Sequence, residues 1–225
     1  MAKWVTIRMY PTTSKIECDY GFHSTAHLKA IVDAFGKWTK KYLDMGWDGY
    51  LFQVMFHDLA GSRETKIIQM KQEVERVYNR LATRMVRKPN SPNWAGYLPI
   101  GLFVPELPVP KKRKSKKSTI ADVSINDGLH MSGIILGNRW GRVRTSLVDY
   151  FAKFDDHYVT GKIREIYVDR ITDDPEYTVD YALKSLPRRD SSPDDVLILN
   201  WGRSARRPSI FREMIRKALG RDRII

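Results

Sequence analysis

The chain has 225 residues, 42% of them hydrophobic and 11% aromatic, and a formal net charge of +13. That composition excludes a disordered chain, and no apolar run reaches the roughly 18 residues that a membrane-spanning helix needs. The basic excess calls for a polyanionic partner, nucleic acid ahead of an anionic membrane surface. The single cysteine, Cys18, rules out a disulfide framework or a cysteine metal knuckle. The stretch from Met1 to Arg8 lacks the apolar core of a secretory signal, so a cytoplasmic protein is expected, nuclear if the host is eukaryotic.

Taken in order, Trp4 to Tyr10 alternates as a strand. Residues 24–44 read as a helix capped by Ser24, with Leu28, Ile31, Val32, Phe35, Trp38 and Tyr42 at helical spacings. Tyr50-Leu-Phe-Gln-Val-Met-Phe56 is a strand by its apolar and aromatic content. A long helix follows over about 62–86, its stripe formed by Ile67, Met70, Val74, Val77, Tyr78, Leu81 and Met85. Tyr97 to Val104 reads as another strand.

Residues 105–119 break the composition. Three prolines lead into Lys111, Lys112, Arg113, Lys114, Lys116 and Lys117, six basic residues in seven. Prolines lack the ladder donor and like charges repel, so this is an exposed loop between two strands. Phosphate contact is the preferred reading, with membrane attachment and a nuclear-import signal as alternatives.

Asp127-Gly-Leu-His-Met-Ser-Gly-Ile-Ile-Leu136 reads as a strand, on which His130 and Ser132 share one face. Arg139, Arg142 and Arg144, interleaved with Trp140, suit phosphates and unstacked bases. A helix is expected over about 145–158 and a strand over 162–171. A further helix carries Tyr177, Tyr181 and Lys184, the last two on one helical face. The C-terminal part contains the basic loop Trp201 to Arg207 and an amphipathic helix over 208–220.

From Tyr50 to Leu186 the order is strand, helix, strand, strand, helix, strand, helix. Such a βαββαβ (RRM- or ferredoxin-like) α+β unit is an antiparallel sheet of four to five strands with both helices on one face. Its open face commonly receives single-stranded nucleic acid. Residues 49–187 form this domain, 1–48 a strand–helix extension and 188–225 a basic C-terminal extension. A histidine on a sheet face near a Tyr/Lys helix suggests metal-assisted attack on a phosphodiester.

These residues resemble the HUH endonuclease superfamily, which includes rolling-circle replication initiators of plasmids, phages and small circular single-stranded DNA viruses. Tyr50 to Phe56 lies where the family's first hydrophobic strand motif occurs. Gly128-Leu-His-Met-Ser-Gly-Ile-Ile135 is similar to the metal-binding strand, usually His-hydrophobe-His and in some members His-hydrophobe-Gln. Asp180-Tyr-Ala-Leu-Lys-Ser-Leu186 resembles the Tyr-x-x-Lys nucleophile motif.

The resemblance implies nicking of single-stranded DNA or an origin hairpin, with Tyr181 forming a 5′-phosphotyrosine bond. Lys184 would offset charge or assist ionisation of the phenol, and Mg²⁺ or Mn²⁺ would polarise the phosphate. Tyr177, one turn earlier, stands where a second nucleophile or a core residue would. Ser132 replaces the second metal ligand and is a weaker donor. Glu106 and Asp127 are the candidates for the third. No Walker-type loop is present, so strand separation would need a separate helicase. The alternatives are a catalytically inactive nucleic-acid-binding protein on the same fold and a basic membrane-surface or assembly protein.

Overall fold

The computed structural model describes residues 24–107, 129–139, 141–159 and 161–200. The expected strand at Trp4–Tyr10, the Lys111–Lys117 run, Asp127, Trp140 and the C-terminal helix lie outside the described residues.

Helix α1 (Thr25–Asp44) is opened by Ser24, whose hydroxyl accepts the His27 N–H. Strand β1 (Asp48–Phe56) leads to α2 (Arg63–Met85), capped in the same way by Ser62 on the Thr65 N–H. Each cap satisfies a donor that the first helical turn leaves without an intrahelical partner. A short 3₁₀ segment (Pro92–Tyr97) precedes β2 (Ile100–Glu106), so the strand expected from Tyr97 starts three residues later. Then come β3 (His130–Gly137), α3 (Leu147–Phe154), β4 (Ile163–Arg170), α4 (Pro175–Ala182) and the short β5 (Leu197–Leu199).

The strands form one antiparallel sheet in the order β4-β1-β3-β2-β5. This is the α+β architecture the element order calls for, with β5 added at the β2 edge. Alternate residues sort to the two faces. On one face Phe52, Val54, Phe103, Met131 and Ile135 pack against Met70, Val74, Val77 and Leu81 of α2 and Phe151 of α3. The Phe52 and Phe103 rings meet edge to face at 6.0 Å. They flank Gly133, their cross-strand neighbour on both sides. A Cβ at Gly133 would run into the Leu102 carbonyl and the Phe103 ring, so glycine is what lets the three strands close here.

The other face is not open, which corrects the sequence expectation. Ile31, Val32, Phe35, Trp38 and Tyr42 of α1 and Val179, Ala182 and Leu183 of α4 cover Ile100, Leu102, Val104, Ile134 and Leu136. The reason lies in the α1 stripe. Its large side chains need an apolar surface to leave water, and the even-numbered residues of β2 and β3 supply one. Helix α1 therefore shares a core with the 49–187 unit. Helices α1 and α4 approach closely at Gly36, where a Cβ would sit 3.3 Å from the Glu176 Cα. Among the described residues no helix is long and apolar enough to cross a membrane.

Candidate functional site

At the start of β3 the α1/α4 face gains polar residues. Cross-strand pairing lays a row there: Glu106 on β2, His130 on β3, Met55 on β1 and Glu165 on β4. The next row is Val104, Ser132, Gln53 and Tyr167. The ladder between β1 and β4 shifts register between Met55 and Phe56, and such irregularities re-aim the side chains beside them.

Within the first row Glu106 and His130 are linked. His130 Nε2 lies 3.3 Å from Glu106 Oε2, and Lys184 Nζ lies 2.9 Å from Glu106 Oε1. The same ammonium stands over the Tyr181 ring, 4.3 Å from its centroid, a cation–π arrangement. Imidazole, carboxylate, ammonium and phenol thus follow one another in a chain. Glu106 is nearly enclosed, with 8% of its side chain exposed, whereas Tyr181 is 43% exposed. Burial pushes the Glu106 carboxyl up, but the hydrogen bonds and charges of His130 and Lys184 outweigh it and hold the group below the usual carboxylate value.

Two elements bring Lys184 to this place. Helix α4 is capped by Asp174 with Pro175 at its first turn, and it ends at Ala182. Lys184 therefore sits beyond the helix rather than on one helical face with Tyr181, as expected from spacing alone. Past Leu183 the chain turns tightly, with Leu186 N–H donating to Leu183 O and Asp190 N–H to Ser185 O. Ser191 then donates its hydroxyl to the carbonyl of Pro105, the residue before Glu106. That bond ties the turn to the end of β2 and keeps the ammonium within reach of the carboxylate.

The remaining expected residues separate. Ser132 shares the His130 face but is fully buried, and its hydroxyl has no hydrogen-bond partner. It stands one row in from His130, beside Val104 and Gln53. Tyr177 is 67% exposed and packs into no core, against the core alternative. Arg139, Arg142 and Arg144 follow the far end of β3. Seven strand rises separate His130 from Gly137, on the order of 20 Å.

The sequence reading passed over Gln53, Glu165 and Tyr167. Gln53 is the one strongly polar residue in Tyr50–Phe56, and cross-strand pairing sets it beside Ser132. Tyr167 is half-exposed and donates its hydroxyl to Glu165 at 2.6 Å. A polar residue alternating into an apolar strand was the available signal for Gln53.

A divalent cation fits part of this set. Oxygen or nitrogen ligands at about 2.1 Å and right angles lie roughly 3 Å apart, close to the His130–Glu106 separation. Lys184 occupies the other Glu106 oxygen, and among the described residues no three His, Cys, Asp or Glu side chains gather to hold a metal. A divalent ion here would have to take the place of the His130–Glu106 contact, with two protein ligands and water completing its shell. Comparison of the chain with protein-family models, curated proteins and solved structures found no match.

Proposed function

We propose that this protein is a tyrosine-dependent single-stranded DNA nickase and strand transferase, acting in replication initiation of a small mobile element, plasmid, phage or virus. The observation that carries the reading is the chain His130–Glu106–Lys184–Tyr181, which runs from a nearly enclosed carboxylate out to an exposed phenol. A phenol is a poor nucleophile at its ordinary pKa of about 10, so it needs positive charge close by. Lys184 supplies that charge, and ionised Glu106 holds the ammonium in place.

In the proposed reaction the Tyr181 oxygen attacks phosphorus as its proton leaves. The bond from phosphorus to the 3′ oxygen breaks, and that oxygen takes up a proton as a free 3′-hydroxyl. The 5′ phosphate stays on the tyrosine until a hydroxyl reverses the step. A bound Mg²⁺ or Mn²⁺ would polarise the scissile phosphate, held by His130 Nε2 and Glu106 Oε2. Tyr177, one turn earlier on the exposed side of α4, is the candidate for a second nucleophile.

The test is incubation with labelled single-stranded DNA and Mn²⁺. A covalent protein–DNA adduct is expected, lost in Tyr181→Phe and reduced by at least about a hundredfold in Lys184→Ala. One observation favours a second reading, a binder that does not cleave: a serine, Ser132, stands where the motif has its second metal ligand, and a neutral hydroxyl is a weaker one. Normal DNA binding with no adduct from wild type would select that reading.

A further inference from the structure

A second polar site lies away from the Tyr181 cluster. The β3 end, the start of β1, the end of β4 and the start of α3 enclose a pocket of about 370 Å³. Three guanidinium groups, Arg139, Arg144 and Arg170, line it together with Asn138, and the one carboxylate in its wall is Asp48. Arg170 Nη2 holds Asp48 Oδ1 at 2.7 Å, while Arg139 Nε stands 3.9 Å from the same oxygen with 63% of its side chain exposed. Arg144 is exposed and makes no ion pair among the described residues. One carboxylate against three guanidinium groups leaves the pocket positive.

Next to it stands an exposed aromatic pair. Asn138 Nδ2 donates to the Gly96 carbonyl at 3.2 Å, which fixes the 3₁₀ segment Pro92–Tyr97 against the pocket rim. That segment carries Trp94 and Tyr97, ring centroids 5.5 Å apart, each 37% exposed. Neither ring enters the core on either face of the sheet. Guanidinium forks match phosphate oxygens, and exposed indole and phenol faces stack on unpaired bases.

We propose that this arginine pocket and the Trp94–Tyr97 pair form a second binding site for single-stranded nucleic acid, taking a backbone phosphate in the pocket and an unstacked base on the rings. The proposal builds on the reading of the chain as a handler of single-stranded DNA, and it adds an anchoring point that needs neither the metal nor Tyr181. A strand held here is gripped at the opposite end of β3 from His130.

The experiment is fluorescence anisotropy of a labelled thymidine oligonucleotide with the full chain in EDTA, across a salt series. Trp94→Ala is expected to weaken binding at least about fivefold, the lower end of a lost base stack. Arg144→Ala is expected to weaken it and to reduce the salt slope by about 0.7, one phosphate contact on a single strand. Lys41→Ala, an exposed charge on α1, serves as control and should stay within about twofold. Photocrosslinking of wild type to a bromodeoxyuridine oligonucleotide should label the segment containing Trp94 and Tyr97, a readout that needs no variant.

Unchanged affinity in Trp94→Ala, or an Arg144→Ala effect no larger than the control, overturns the proposal. So does pyrophosphate binding that requires Arg144 while oligonucleotide binding ignores it, since the pocket would then take a free phosphate. None of these readouts depends on adduct formation, so this site and the nicking reaction fail separately.

Discussion

Glu106 is the residue on which the cluster turns. One oxygen faces an imidazole and the other an ammonium, and both contacts favour the ionised form. Because its folded pKa lies below the unfolded value, the stabilisation is present above about pH 4.3 and is lost as pH falls through the folded value. Glu106→Gln leaves Lys184 beside a neutral amide and should cost about 3 kcal/mol at pH 7. Denaturant unfolding of both proteins from pH 7 to pH 3 checks this, and the gap should narrow at the acid end. A constant gap would mean the loss came from packing, not charge.

Among the elements, α1 has the most unexpected role. Spacing predicted its stripe and Ser24 its cap, and both are present. What spacing did not reveal was the destination of that stripe. Phe35 is 1% exposed and lies in the cluster that joins α1 to α4, β2 and β3. Phe35→Ala should therefore cost about 3–5 kcal/mol, while Met45→Ala, at 56% exposure just past the helix, should cost less than about 0.5 kcal/mol. Urea midpoints with equal slopes would read both. A helix merely appended to the domain would give a small value for Phe35 as well. Because α4 carries Tyr181 and packs on α1, α1 also holds the platform of the proposed nucleophile against the sheet.

At the scale of the whole molecule, the net charge of +13 governs encounter more than fold. Association with single-stranded DNA should weaken about fiftyfold from 50 to 200 mM salt, from the release of counterions at about four phosphate contacts. Anisotropy at several salt concentrations measures the slope. A flat profile, or salt-dependent binding to anionic vesicles without DNA affinity, would favour the membrane-surface alternative.

The sequence by itself determined the local elements. Helical periodicity, Ser and Asp caps, strand alternation and the order of elements are written within a few residues of one another, and they called for the antiparallel α+β sheet that forms. It also named His130, Tyr181 and Lys184 through motif order, and Glu106 only as one of two candidates, with Asp127, for a third metal ligand. Only the tertiary structure decided which of the named residues meet. Whether a strand face is bare or covered depends on α1, about a hundred residues earlier, and no local pattern encodes that pairing. The same packing buried Ser132, moved Lys184 past the helix end onto Glu106, and gathered Arg139, Arg144 and Arg170 around a pocket at the far end of β3.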